Sequence, residues 1–129
     1  MLFLSLNLYQ KNLNFSLKLQ PYLSKQAKAM ALLSKTLDGA DMNQQLTITE
    51  TFNNEPFPSA VNGVLKVKDE QGSVWNFNYK VRSKNRRFFS GQWEQFRLNN
   101  CVQVGNRVAI DRNDAWCSEA AYKIEVIRT

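Results

Sequence analysis

VWNFNYKVRSKNRRFFSGQWEQF, residues 74–96, runs an alternating aromatic–polar segment, a basic run and a short helical pattern together. Its first half alternates: Trp75, Phe77, Tyr79 and Val81 point one way, and Asn76, Asn78, Lys80 and Arg82 the other. Period-two alternation of aromatic and polar side chains marks a strand with one buried face. The pattern breaks at Arg82-Ser83-Lys84-Asn85-Arg86-Arg87, which is too charged for a core, and apolar character resumes at Phe88-Phe89. Ser90-Gly91 then leads into Gln92-Trp93-Glu94-Gln95-Phe96. Here Ser90 is the predicted helix N-cap, and the Trp93/Phe96 spacing gives one apolar helical face. A basic arm is thus held out between two aromatic-anchored elements.

Upstream, Asp69-Glu70-Gln71-Gly72 is a tight turn that joins the strand Val64–Lys68 to this one as a hairpin. Further upstream, Leu32, Leu33 and Leu37 suggest a first strand, Asp38-Gly39-Ala40-Asp41 a turn, Asn43-Gln44-Gln45 a polar loop and Leu46–Thr49 a second strand. The stretch from Phe52 to Pro58 carries Asn53-Asn54 and two prolines, so it is expected to be irregular, with at most one helical turn. Downstream, Val104-Gly105-Asn106-Arg107 turns into Val108-Ala109-Ile110. Asp111 to Ala120 reads as a loop, and Tyr122, Ile124 and Val126 alternate with Lys123 and Glu125 in a last strand. Several short strands with regular turn signals and one short helix indicate a small barrel or sandwich.

Residues 1–30 differ from the rest. They carry Lys11, Lys18, Lys25 and Lys28 without an acid, and two segments alternate Leu or Phe with polar residues as short strands do. They are read as an extension preceding a domain at 31–129. No basic segment precedes the first apolar run and Asn7 interrupts it, so a cleaved leader is not expected. No stretch approaches the ~18 apolar residues that a membrane-spanning helix needs.

A chain of 129 residues suits one domain with a small core, and 43% hydrophobic residues argue against disorder. The net charge of +6 points to polyanions or an acidic protein surface as partners. The absence of histidine removes Ser/His and Cys/His nucleophilic pairs, Cys/His zinc sites and histidine acid–base chemistry. Cys101 and Cys117 are too few for a disulfide framework or a zinc site and are read as reduced, largely buried thiols, with a single disulfide as the alternative. Asp111 and Asp114 sit in a turn-like context that completes no metal or catalytic site. No cofactor, metal or enzymatic activity is expected.

Four local patterns, in order, resemble the plant B3 DNA-binding domain of auxin response factors and abscisic-acid-related regulators. Lys35-Thr36-Leu37 with Asp41 resembles its opening K-x-L-x-x-S-D stretch. Leu65 to Phe77 resembles its hairpin, an aliphatic strand, an acidic-Gly turn and then W-x-F. Arg82–Arg87 followed by Phe88-Phe89-Ser90-Gly91-Gln92-Trp93 is similar to its basic arm and T-G-G-W element, and Val104–Val108 to its G-D-x-V turn. The resemblance covers roughly residues 31–129. It implies a mainly β fold, a seven-stranded open pseudobarrel with one or two short helices. It also implies two arms that grip the DNA major groove, here about Lys35–Gln45 and Arg82–Arg87. The chain departs from the pattern at Asp38 (usually Thr), Ala40 (usually Ser) and Asn106 (usually Asp), and at the acidic stretch Thr49–Glu55, where the family carries a basic helical segment.

Duplex DNA is bound by cations on phosphates and read by forked donors on guanine, or by amides on adenine. Arg82, Asn85 and Arg87 are therefore expected at bases, with Lys80, Lys84, Arg86 and Ser90 on the backbone. Lys35, Asn43, Gln44 and Gln45 complete the candidate set from the first arm. Trp75, Phe77, Trp93 and Phe96 are read as core, not as stacking platforms. The resulting expectation is sequence-specific double-stranded DNA binding in the nucleus, as part of a plant transcriptional regulator. Oligomers or other transcription factors remain open as further partners. The alternative is a divergent domain used for protein interaction or non-specific DNA binding, which the acids Asp38, Glu50 and Glu55 favour.

Overall fold

The alternation of residues 74–83 does produce a strand, and the strands around it curl into a barrel. The computed structural model describes residues 31–114 and 119–128; the readings for residues 1–30, Trp116 and Cys117 lie outside them. In chain order the strands are β1 (Leu33–Thr36), β2 (Leu46–Ile48), β3 (Gly63–Lys68), β4 (Val74–Ser83), β5 (Arg86–Gly91), β6 (Arg107–Arg112) and β7 (Tyr122–Ile127). One α-helix, α1 (Trp93–Asn99), and two 3-10 turns, Gly39–Met42 and Pro58–Ala60, accompany them. The seven strands form a single sheet in the order β1-β6-β7-β3-β4-β5-β2, antiparallel except for β3 with β7, curled into a nearly closed barrel. The expected seven-stranded pseudobarrel is therefore present.

The β3–β4 hairpin owes its turn to Asp69. Its Oδ1 accepts from the backbone N–H groups of Gln71 (3.0 Å) and Ser73 (2.9 Å), and its Oδ2 from Trp75 Nε1 (2.9 Å). A carboxylate folded back onto its own turn is the usual device of an Asx turn.

At the end of β5 the structure corrects the sequence reading. Ser90 is not a helix cap; it remains in the strand, paired with Asn78. Gly91, at φ +68°, turns the chain, and a Cβ there would lie 3.0 Å from the Asn76 carbonyl oxygen. Gln92 is the residue before the helix, and it is tied to Asn76 through both its N–H (3.0 Å) and its Oε1 (2.8 Å). The loop expected from Asp111 also starts later, because Asp111 and Arg112 pair with Lys123 and Tyr122 and extend β6.

Inside the barrel lie Leu33, Leu46, Ile48, Leu65, Val67, Phe77, Tyr79, Phe89, Val108, Ile110 and Ile124, all buried. Helix α1 places Trp93 and Phe96 against Phe77 with ring centroids 6.0 and 5.8 Å away, in edge-to-face arrangements that favour aromatic pairs. These rings and Trp75 pack as core, as expected. The irregular stretch before Pro58 plants Phe57 between Tyr79, Phe89 and Tyr122.

The barrel is open between its edge strands β1 and β2, and polar groups span that seam. Lys35 Nζ on β1 donates to the Thr47 carbonyl oxygen on β2 (2.5 Å) and to the Asp41 carboxylate (2.9 Å). Asp41, fully buried, also accepts from the N–H groups of Thr47 (3.2 Å) and Asp38 (3.0 Å). Its carbonyl oxygen accepts from Trp93 Nε1 (2.9 Å), which ties helix α1 to the same loop. The edge groups of β2 are thereby satisfied without a neighbouring strand.

Candidate nucleic-acid interface

Strand parity decides which cations reach solvent. On β4, Phe77 and Tyr79 face the core, so Asn78, Lys80 and Arg82 face out. On β5, Arg87 and Phe89 face the core, so Arg86, Phe88 and Ser90 face out. Lys80 and Thr47 flank Phe88 across the two ladders. The result is an open cleft of about 290 Å³ lined by Gln45, Lys80, Arg82, Arg86, Phe88 and Ser90. It holds three cations and no carboxylate.

The hairpin tip carries Lys84 and Asn85, both exposed, between the ends of β4 and β5. A register shift between Val81 and Ser83 accompanies the tip, and Ser83 Oγ bonds Asn85 Oδ1 at 3.0 Å. Asn43 and Gln44 are exposed on the other loop, where Asn43 Nδ2 makes a long contact with the Ala40 carbonyl (3.4 Å). Of that loop, only Gln45 joins the cleft.

Arg87 is placed differently from its neighbours. It is only 4% exposed, and its guanidinium bonds the Glu55 carboxylate through Nη2 (2.8 Å) and Nε (3.3 Å). It also donates to the Tyr79 hydroxyl (2.9 Å) and, through Nη1, to the Lys84 carbonyl (3.0 Å), and it lies 4.6 Å over the Phe52 ring. Tyr79 completes the triangle with a hydrogen bond to Glu55. Burial alone would raise the Glu55 carboxyl, but the Arg87, Tyr79 and Phe57 N–H donors outweigh it and hold it below the usual carboxylate range. Burial, then the bond and charge of Glu55, push the Tyr79 hydroxyl well above the ordinary tyrosine value. Burial would likewise lower Arg87, but Glu55 overrides it and the guanidinium stays charged. This cation braces the hairpin tip from inside instead of projecting from it.

Lys35 is committed in the same way, with its ammonium on Asp41 and Thr47 across the seam. Its charge also acts on the exposed Asp38 carboxylate 3.9 Å away, holding Asp38 below its ordinary value. Of the eleven residues expected at DNA from sequence, the structure gathers Gln45, Lys80, Arg82, Arg86 and Ser90 in one cleft, with Lys84 and Asn85 at the tip beside it. It separates Arg87 and Lys35 from them. Phe88 lines the same cleft and was not among the eleven, although in R-R-F-F-S only one of two consecutive phenylalanines in a strand can face the core.

Two of the departures from the B3-like pattern have local partners. Glu55 is the partner of Arg87. Asn106 is buried, and its Oδ1 accepts from the Gln103 N–H (2.8 Å), so an amide oxygen fixes that turn. Cys101, expected to be buried, is instead an exposed free thiol at φ +51° after helix α1. There the Val102 N–H bonds the Arg97 carbonyl (3.0 Å) and the Cys101 N–H the Leu98 carbonyl (3.3 Å), which is a Schellman ending. Among the described residues, no group of three or more acidic, Cys or His side chains could hold a metal ion.

No protein-family model matches the sequence, and no curated protein does. Among solved structures, the chain is similar to the Arabidopsis FUS3–DNA complex, at 16% identity, over 77% of this chain and 98% of that one, with a TM-score of 0.55. It is also similar to a hypothetical Arabidopsis thaliana protein, at 20% identity over 74% of this chain and 85% of that one, with a TM-score of 0.47. FUS3 is a B3 domain protein, and the chain has the B3-type pseudobarrel fold that its motifs resemble.

Proposed function

We propose that residues 31–129 form a non-enzymatic, double-stranded DNA-binding domain of a plant transcriptional regulator that works in the nucleus. The observation that carries this reading is the cleft: Lys80, Arg82 and Arg86 with Gln45 and Ser90 on one outward face, beside an exposed tip bearing Lys84 and Asn85. Clustered cations neutralise phosphates, while arginine forks and amides discriminate base edges in the major groove. The β4–β5 hairpin is the principal arm, and the loop carrying Asn43, Gln44 and Gln45 assists it. Arg82, Arg86 and Asn85 approach base edges; Lys80, Lys84 and Ser90 hold the backbone. Arg87 and Lys35 act from within, by shaping the arm and the seam. That the similar FUS3 structure is a DNA complex supports the same class of partner here.

The test is selection of the domain against a random double-stranded library at about physiological salt. An enriched short motif is the expected result. Salt-sensitive retention without enrichment would reduce the function to non-specific binding, and no retention would leave an interaction module in its place.

A further inference from the structure

Phe88 is out of character for its position. Its face of β5 is otherwise polar, with Arg86 and Ser90 on either side and Lys80 and Thr47 across the ladders. The core does not use it, because Phe89 fills the inward position completely. What it meets is cationic. The Arg82 guanidinium carbon lies 5.9 Å from the ring centroid, and that of Arg86 lies 5.5 Å from it. Both are within the range at which a ring attracts a guanidinium. The two arginines come from different strands, and neither has an ion-pair partner among the described residues. The β4–β5 ladder brings their backbones together, and both guanidiniums lie against the one ring.

A free arginine fork loses rotamer freedom when it docks, and a fork already held loses less. We infer that Phe88 is a positioning residue for DNA readout: its ring pins the Arg82 and Arg86 guanidiniums side by side, so that two forks meet neighbouring base edges as one preformed unit. This rests on the DNA-binding reading above. With two cations already against it, the ring is not an open platform for stacking a base. It also predicts a division of labour, in which Lys80 and Lys84 set affinity for any duplex and the Arg82–Phe88–Arg86 group sets preference among duplexes.

The experiment compares wild type, Phe88→Leu and Phe88→Tyr on the selected duplex and on a scrambled one, over a salt series, with thermal midpoints recorded alongside. Leucine keeps apolar bulk without a π face, and tyrosine keeps the ring. Phe88→Leu should lower the ratio of specific to scrambled affinity about tenfold while leaving scrambled-duplex affinity and its salt slope nearly unchanged. Phe88→Tyr should restore the ratio. A structural role alone would instead move the midpoint and both affinities together, and that pattern overturns the inference. So does an unchanged ratio in Phe88→Leu, which leaves duplex binding intact. Preference for single strands, lost in Phe88→Leu, would make the ring a base platform and overturn it as well. A wild type that retains no duplex at low salt overturns the DNA reading itself, and this role with it.

Discussion

Replacing Arg87 separates what the arm is made of from what the arm touches. In Arg87→Ala, Glu55 loses two guanidinium bonds, Tyr79 loses one, and the Lys84 carbonyl at the tip loses its internal donor. Removing one partner of a fully buried pair costs about 3–5 kcal/mol, because the other charge is left stranded. The Glu55 side chain is 23% exposed against 5% for Arg87, so water can relieve the orphan in part, and about 3 kcal/mol is expected. For a domain of this size each 1 kcal/mol moves the midpoint by about 4–8 °C, so the fall should be about 12–24 °C. Arg86→Ala, one residue away on the outward face, should leave the midpoint nearly unmoved and cost about 1–3 kcal/mol on the selected duplex, whereas Lys84→Ala at the tip should lower the magnitude of the log K against log salt slope by about 0.9.

The salt slope decides the case. If Arg87 is internal, its removal leaves the slope of the still-folded domain, measured well below the midpoint, unchanged. An unmoved midpoint together with a slope reduced by about one would show that Arg87 swings out to a phosphate and does not brace the tip from inside. The pH dependence must also agree. Glu55 is held below its ordinary value in the folded state, so its contribution to stability is complete above the ordinary carboxylate range. It is lost as pH falls through the lowered value, and Arg87→Ala should flatten that part of the acid unfolding profile.

Three further outcomes follow from the same geometry. With Lys80 and Lys84 as the cations on phosphate, duplex binding should show a log K against log salt slope of roughly −1.8, and a nearly flat line would exclude electrostatic docking. Asp41→Ala strands Lys35 and unties both Thr47 and Asp38, and should cost about 3–5 kcal/mol by chemical denaturation; a loss under about 1 kcal/mol would mean that the seam does not depend on this carboxylate. Cys101→Gly relieves a left-handed conformation that side chains resist, and should raise stability by about 1 kcal/mol, visible as a higher midpoint under reducing conditions.

The sheet was legible because its strands alternate cleanly: Trp75 to Arg82 and Tyr122 to Val126 place the right residues inside without any knowledge of their partners. The hairpin turn was legible from Asp69 to Gly72, since its carboxylate acts locally. What the sequence hid was long range. Glu55 is 32 positions from Arg87, and nothing local in R-S-K-N-R-R shows that the last arginine turns inward to meet it. Parity carried from Phe89 backwards would have separated Arg86 from Arg87, but only once the strand was known to start at Arg86 instead of after the basic run. Lys35 was hidden by the same means, because its partners stand across a seam that exists only after the barrel curls. Ser90 misled for the opposite reason, since a good local capping residue was overridden by two more rungs of ladder.

The acids near the arms bear on the same question from the other side. Glu55 and Asp41 look unfavourable for a polyanion partner when counted along the chain, yet each is consumed by an inward cation, so neither presents a free charge outward. Asp38 and Glu50 are the exceptions, and Asp38 lies on the first arm itself. It is exposed, and its Oδ1 caps the turn Gly39–Met42 through the N–H groups of Ala40 (3.0 Å) and Asp41 (3.3 Å). Asparagine supports the same cap about as well as aspartate, so Asp38→Asn isolates the charge from the turn. If the first arm lies within a Debye length of phosphate, about 8–10 Å, the variant should bind duplex about twofold more tightly at low salt, converging on wild type as salt rises. The thermal midpoint should stay close to that of wild type. Equal affinity at low salt, with the fold intact, would place this loop away from the duplex and leave the β4–β5 hairpin to bind alone.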